Sequence, residues 1–269
     1  MNVAERQVRD FYDKYGWVNP ESAAFFNDFS RAYYPYHERV NARTIQCFSG
    51  LNGRLLLAGG GNMPETHVAI CDKFPETTCL DISKVAIDIA KSKLKGRGEF
   101  ILGSILQIPK PANYFDASYC AHVIYHIEKD QQHIALRELI RVTKPGGRIV
   151  VIYRNLESLP HWFLKLNRLP LLPRLWKQRR RKRFTLHNAQ SPPPLYFFAY
   201  PLNWWAQFAD QCDIAIRPWD VMSNEEEEVI FINETIASMG YRLCSWFESA
   251  FPDRGGRWWS YPLIILTKK

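Results

Sequence analysis

The chain has 269 residues, 46% of them hydrophobic and 23% charged, with a formal net charge of +8. That length and composition fit one elaborated globular domain better than two equal ones. No apolar run approaches the ~20 residues of a membrane span. Met1–Arg6 lacks the basic-then-apolar order of a signal peptide. Six scattered cysteines, with no Cys-x-x-Cys pair, argue against a zinc site or a disulfide framework. A reducing cytoplasm and no metal are therefore expected.

In chain order, Val3–Tyr15 has apolar and aromatic positions at helical spacing (Val8, Phe11, Tyr12, Tyr15), and Gly16 is a natural stop. A second helix is predicted over 36–48, ending at Gly50. These N-terminal helices, within residues 1–50, either pack on a sheet or lie over a ligand mouth. Their aromatic side chains Tyr12, Tyr15, Trp17, Tyr33 and Tyr34 form a candidate lid.

Next comes Arg54-Leu-Leu-Leu-Ala-Gly-Gly-Gly-Asn-Met-Pro-Glu65, an apolar run ending in three glycines. It reads as a buried parallel strand feeding a tight turn and a helix. Glycines there let the backbone approach a ligand, and the helix start offers free N–H groups. Asp81 ends the next apolar run about twenty residues on, the spacing at which a carboxylate takes the two hydroxyls of a ribose. A nucleoside-type cofactor at the carboxyl end of a doubly wound sheet is the consequence.

From 54 to 154 strand and helix patterns alternate, the signature of a parallel sheet. Strands are predicted at 54–58, 77–81, 99–103, 115–120 and 148–153, and helices near 64–73, 83–94 and 130–143. Ser83 is a good N-cap, and Lys144-Pro-Gly-Gly147 is expected to end the last helix. Residues 155–200 break the rhythm with six prolines, many aromatics and the basic run Lys177-Gln-Arg-Arg-Arg-Lys-Arg183. They read as an insertion above the sheet edge. Within 201–269 a helix is predicted over 203–211, begun by Pro201. Residues 225–251 have helical spacing, and a final buried strand spans 261–267. The sixth strand is either 213–219 or 241–248.

In this order and spacing the chain resembles the class I S-adenosylmethionine-dependent methyltransferases of the ubiquinone/menaquinone-biosynthesis-like group, over roughly 51–154. Leu55–Gly61 stands at the glycine-rich first motif and Asp81-Ile-Ser83 at the ribose-holding strand end. Gly103–Pro109 matches the stretch flanking the adenine. Tyr114-Phe-Asp116, Ala121–Ile127 and Lys144–Gly147 complete the set. The resemblance implies an α/β, Rossmann-like, doubly wound, mainly parallel seven-stranded sheet with a helical N-terminal lid (1–50), a cofactor-binding core (51–154), an inserted cap (155–200) and a C-terminal part of the sheet (201–269). It implies S-adenosylmethionine as cofactor, along Ala58, Gly59, Gly60, Gly61, Asp81, Ile82, Ser104, Ile105 and Ala121. Three positions depart from the family: it usually has an acidic residue at Leu57, a third glycine near Met63 and an aspartate at Ser104. Glu65, heading the first helix, is the nearest substitute for the acid absent at 57.

Methyl transfer needs alignment of a nucleophile behind an already activated methyl, plus a base where the acceptor holds its proton tightly. His126 and His122, just past the fourth strand, are the candidate bases. Tyr125, Tyr153 and His161, with Tyr12, Tyr15 and Trp17, are candidates for acceptor contact. The aromatic stretch Trp162, Tyr196, Phe197, Phe198, Trp204 and Trp205 is expected to roof the pocket and favours a bulky apolar or aromatic small-molecule acceptor, methylated on oxygen or nitrogen, in secondary or lipid-quinone metabolism. The 177–183 run is either a solvated face or a peripheral contact with an anionic membrane. Nucleic acid ranks last as its partner, since no RNA-binding motif accompanies it. The rival readings are a catalytically degenerate cofactor-binding protein, suggested by Leu57, Met63 and Ser104, and a nicotinamide-dependent oxidoreductase, against which Pro64 counts.

Overall fold

A computed structural model describes residues 3–15, 31–167 and 195–269 of the chain. Trp17, His187 and the 177–183 run lie outside the described residues, as does the side chain of Tyr15.

β1 (Arg54–Ala58) sits centrally because it is apolar on both faces and fully paired. Leu56 and Ala58 enter the core on one side of the sheet, Leu55 and Leu57 the core on the other. β1 pairs in parallel with β2 (Glu76–Asp81) and β4 (Phe115–Ala121), and β2 pairs with β3 (Glu99–Leu102). β5 (Thr143–Ile152) extends the parallel set, and β6 (Cys212–Asp220) and β7 (Tyr261–Lys268) complete it. The seven strands lie in the order β3-β2-β1-β4-β5-β7-β6, with β7 antiparallel to both neighbours. The mainly parallel, seven-stranded α/β sheet is therefore present, and its carboxyl edge collects the ends of β1–β6 and the start of β7.

The helices are α1 (Val3–Tyr15), α2 (Tyr33–Gln46), α3 (Glu65–Cys71), α4 (Lys84–Lys93), α5 (Gln132–Val142), α6 (Leu159–Asn167), α7 (Asn224–Ile230), α8 (Glu234–Ala250) and α9 (Pro252–Trp258). α5 packs Leu136, Leu139 and Ile140 into one core; α3 and α4 supply Ile70 and Ala90 to the other, joined by Leu94 just past the end of α4. Ser83 caps α4 by accepting from the N–H of Ala86 at 3.1 Å.

Three expectations change. α5 ends at Val142, and Lys144–Gly147 belong to the start of β5, looped out where the pairing register shifts between Phe115 and Ala117. Lys144 is held there by Asp116 at 2.6 Å, so the strand begins at 143 rather than 148. The 225–251 stretch is two helices, because Ser223 forms a capping box with Glu226 and Asn233 caps a second start at Ile236. Gly240 belongs inside α8: a side chain there would meet the Phe231 ring at 2.3 Å. The sixth strand is 212–220, and 241–248 is helical. Residues 202–208 form 3-10 turns rather than an α-helix.

α2 and α8 close one flank around Tyr33, Tyr36, Val40, Ala237 and Tyr241. The buried Glu248 carboxylate accepts from Tyr36 Oη at 2.7 Å and Arg43 Nη1 at 2.5 Å, and Tyr36 Oη also accepts the N–H of Val221 at 3.1 Å. Tyr36→Phe leaves that N–H and part of the carboxylate without partners, so a loss of about 1–3 kcal/mol is expected in urea denaturation; a change below ~0.5 kcal/mol would contradict this bracing.

Candidate active site

A cavity of about 870 Å³ runs along the carboxyl edge, from Gly103 and Ser104 after β3, past Asp81 and the glycine turn, to Trp219 and Asp220 of β6. It lies toward the upper end of the roughly 300–1,000 Å³ typical of ligand sites.

The glycine turn is shaped by sterics. Gly59 has φ +77°, and a Cβ on it would meet Val123 at 2.2 Å. Its N–H donates to the Leu80 carbonyl at 2.8 Å, binding the turn to β2. The N–H of Gly61 donates to Asp81 Oδ2 at 3.2 Å and that of Ser83 to Oδ1 at 2.9 Å. Burial, the larger effect, raises the Asp81 pKa above the ordinary carboxylate value, while these N–H groups oppose the rise. A carboxylate so fixed suits a vicinal diol.

Beneath the turn, the family departures form a consistent set. Leu57 is fully buried with Met63, Ile70 and Tyr119, away from the cavity. Met63 takes φ +50°, the left-handed conformation a glycine would adopt freely, and its carbonyl accepts from Lys93 Nζ at 2.8 Å. His67 stands edge-on to Tyr119 at 5.0 Å. Burial pushes its pKa down to about 4, with the Gly60 carbonyl pulling the other way.

α1 covers the cavity, placing Glu5, Val8, Arg9, Phe11 and Tyr12 on its wall. It is tied down by Asp13, which accepts from Ser83 Oγ, and by Glu5, which accepts from Ser104 Oγ. Tyr12 Oη lies 3.4 Å from His126 Nε2. His126 Nδ1 is 2.8 Å from the Tyr196 carbonyl, which assigns the proton to Nδ1 and leaves the Nε2 lone pair toward Tyr12. Burial lowers His126 to about 4. His122 has φ +61°, is hydrogen-bonded through Nδ1 to Tyr125 Oη at 2.7 Å, and is pushed down to about 3 by burial and neighbouring cationic groups. Both imidazoles are therefore neutral at physiological pH.

The far lobe gathers Tyr33, Arg154, Trp219, Asp220, Met222 and Tyr261. Arg154 lies over the Tyr261 ring at 4.6 Å, and its Nη2 donates to Glu226 Oε1. Burial would raise Glu226, but Arg154 and the Ser223 N–H outweigh it and hold the carboxyl below its ordinary range. Asp220 Oδ2 accepts from Tyr33 Oη at 2.6 Å.

The cavity thus brings together Gly59, Gly61, Asp81, Ile82, Ser104, Ile105, Ala121, His122, His126, Tyr12 and Tyr125. It does not include Ala58, which is buried in the core with Leu56, Gly60, which faces Met63 and Leu57 beneath the turn, or Glu65, which is exposed at the head of α3. Tyr153 is buried below the floor, donating to Gln132 Oε1 at 3.1 Å and accepting the Tyr200 N–H at 2.8 Å. His161 lies behind Arg154, 3.3 Å from Glu226. Of the expected aromatic roof only Phe197 reaches the cavity: Trp204 stacks on Tyr200, Trp205 is core, and Trp162 is exposed. Glu5, Arg154, Trp219, Asp220 and Tyr261 were not marked by motif; the last four stand at strand ends on the carboxyl edge, a position that itself signals ligand contact.

Residues 57–151 match the family model described as a methyltransferase domain. That stretch is a methyltransferase domain. Over 118 residues it is 31% identical to the ubiquinone/menaquinone biosynthesis C-methyltransferase of Edwardsiella ictaluri, covering 40% of this chain and 46% of that protein. Its counterpart in Psychromonas ingrahamii is 29% identical over 147 residues, or 49% and 57% of the two chains. The chain thus matches about half the length of these curated relatives. The fold is shared with the N-methyltransferase NodS of Bradyrhizobium japonicum WM9, solved with S-adenosyl-L-homocysteine (TM-score 0.54, 13% identity, 100% and 99% of the chains), and with the [4+2]-cyclase SpnF (TM-score 0.59, 17%, 98% and 96%). The cofactor of a class I methyltransferase domain is S-adenosylmethionine, and the residues here fit it: a turn with no room for a side chain at Gly59, and a pinned carboxylate at Asp81.

His67, His122 and His126 all sit below the ordinary histidine value of 6.5. Between about pH 6.5 and 4 the unfolded chain therefore takes up protons that the folded chain does not. Stability is expected to fall on acidification, by about 1–2 kcal/mol per histidine from pH 7 to 5, with raised Asp81 acting in the opposite sense. Urea midpoints at the two pH values check this, and equal midpoints would refute it.

Proposed function

We propose that the chain is an S-adenosylmethionine-dependent methyltransferase acting on oxygen or nitrogen of a small, bulky aromatic or apolar acceptor. The observation that carries this reading is the continuity of the cofactor side of the cavity with a second lobe walled by Tyr33, Tyr125, Trp219, Met222 and Tyr261. When bound, the cofactor supplies a methyl group on a sulfonium, a strong electrophile that needs positioning more than activation. Asp81 holds the sugar, and the Gly59–Gly61 backbone admits the rest closely. The aromatic lobe orients the acceptor and excludes water. Arg154 is already neutralised by Glu226, so it shapes the lobe without demanding an anionic acceptor. Asp220 offers a hydrogen-bond acceptor to a hydroxyl or amine. The Nε2 lone pair of His126 can take a proton only from an acceptor that releases it readily, as a phenol or an alkylated cation does.

Asp81→Ala is expected to weaken S-adenosyl-L-homocysteine binding about 10- to 100-fold by calorimetry, and His126→Gln to lower methyl transfer to a phenol panel with little change in that affinity. Undiminished binding by Asp81→Ala removes the assignment. Tight cofactor binding without transfer to any acceptor would favour the degenerate, cofactor-binding reading. The nicotinamide reading is disfavoured by antiparallel β7, which interrupts the 3-2-1-4-5-6 order of dinucleotide-binding sheets.

We also propose that the basic run 177–183 contacts anionic membrane surfaces. Leu159, Trp162, Phe163 and Leu166 on α6, just before it in the chain, are exposed at i, i+3, i+4 and i+7, an apolar stripe suited to an interface. Among the described residues no helix is long and apolar enough to cross a membrane. Co-sedimentation with anionic vesicles is expected, and reversal of the 177–183 charges should abolish it; sedimentation unaffected by that reversal would exclude the contact.

A further inference from the structure

Resting on the methyltransferase reading, we propose that the β6 end of the acceptor lobe is a cation subsite, where Asp220 pairs with a protonated amine carried by the acceptor.

Asp220 ends β6 and is only 2% exposed, yet it stands on the wall of the cavity. A carboxylate buried that deeply is costly unless a positive charge answers it. Among the described residues no lysine or arginine pairs with it. Arg43 and Arg154 are each committed to another carboxylate, Glu248 at 2.5 Å and Glu226. The basic neighbour of Asp220 is His37, whose Nδ1 is 3.8 Å from Oδ2 and lies closer, at 2.7 Å, to Tyr33 Oη. Other groups of the lobe supply no cation: Glu225 is acidic, and burial keeps His122 neutral.

The hydrogen bonds of Asp220 explain its position but not its charge. Tyr33 Oη donates to Oδ2 at 2.6 Å, which ties α2 to β6, and the Met222 N–H lies 3.5 Å from Oδ1. The amide oxygen of an asparagine would accept the Tyr33 proton as well. A carboxylate has about four lone-pair positions, so two such contacts leave it able to accept further donors from the cavity.

The rings beside it suit the same kind of ligand. Trp219 and Tyr33 line the cavity next to Asp220. Trp219 packs against His122 and Tyr261 with centroids 4.8 and 5.9 Å away and planes 69° and 81° apart. The electron-rich face of an indole attracts a cation more strongly than a neutral group. Arg154, 4.6 Å over the Tyr261 ring, is a cation of the protein itself held in this way. An alkylammonium answers both features: its N–H groups and charge meet the carboxylate, and its polarised methylenes meet the rings. An alcohol supplies one hydrogen bond and no charge.

Calorimetry on the full chain saturated with S-adenosylhomocysteine tests this with phenethylamine, protonated at neutral pH, and phenethyl alcohol, uncharged and of similar size. Wild type should prefer the ammonium by about 10- to 100-fold, and D220N should bring the two affinities within about threefold. Y33F removes the bond that braces α2 but keeps the charge, so its preference should match or exceed that of wild type. Where D220N is too unstable to bind S-adenosylhomocysteine, the Y33F ratio decides: a kept preference supports the subsite and a lost one overturns it. A wild type that binds the two probes alike, or binds neither, overturns the proposal, as does D220N with the wild-type ratio. Retained S-adenosylhomocysteine binding in those cases leaves the methyltransferase reading intact. Failure of wild type to bind that ligand removes the reading itself.

Discussion

The structure depends on one tight place, where the chain leaves β1 under Val123. No side chain fits at Gly59, so the backbone passes within reach of the β2 end and presents the Gly61 N–H to Asp81. That contact joins the ends of two neighbouring strands and fixes the carboxylate. The left-handed conformation of Met63 costs about 1–2 kcal/mol, and its complete burial against Leu57 and Ile70 offsets this by a comparable amount, about 1.5–3 kcal/mol. A turn that looks degenerate when compared position by position is thus supported by apolar packing beneath it.

Around this point the protein uses buried charge to place groups rather than to gain stability. Arg154 with Glu226 ties the segment after β5 to α7, Tyr33 with Asp220 ties α2 to β6, and Arg43 and Tyr36 with Glu248 tie α2 to α8. Removing such groups from water offsets most of their attraction, so their value lies in fixing geometry. His122 and His126 belong to the same economy: burial keeps them neutral, which makes them hydrogen-bonding walls first and proton acceptors only for acidic partners.

The cofactor half was legible in the sequence because it is local. A glycine turn, a strand-end acid and alternating strands and helices are short-range signals, and β1, β2 and β4 lie within a residue or so of their expected bounds. The second half was not, for two reasons. Capping by Ser223 and Asn233 divided what apolar spacing alone presented as one helix. Contacts such as Glu5 to Ser104 join residues 99 positions apart, and no periodicity records them. Aromatic abundance was a poor guide to the roof, since Trp205 and Tyr153 fill the core, their rings 5.1 Å apart. Glu65 misled for a related reason: the head of a helix is a natural place for an acid whether or not a ligand is near.

The strand order has a consequence for how such a protein can diversify. Four strand spacings, about 19 Å at ~4.8 Å each, separate the glycine turn on β1 from Trp219 and Asp220 on β6. Substitutions that far apart combine nearly independently. One end of the sheet can therefore drift toward new chemical clients while the other conserves its nucleoside, which gives the scaffold a fixed grip and an evolvable palate.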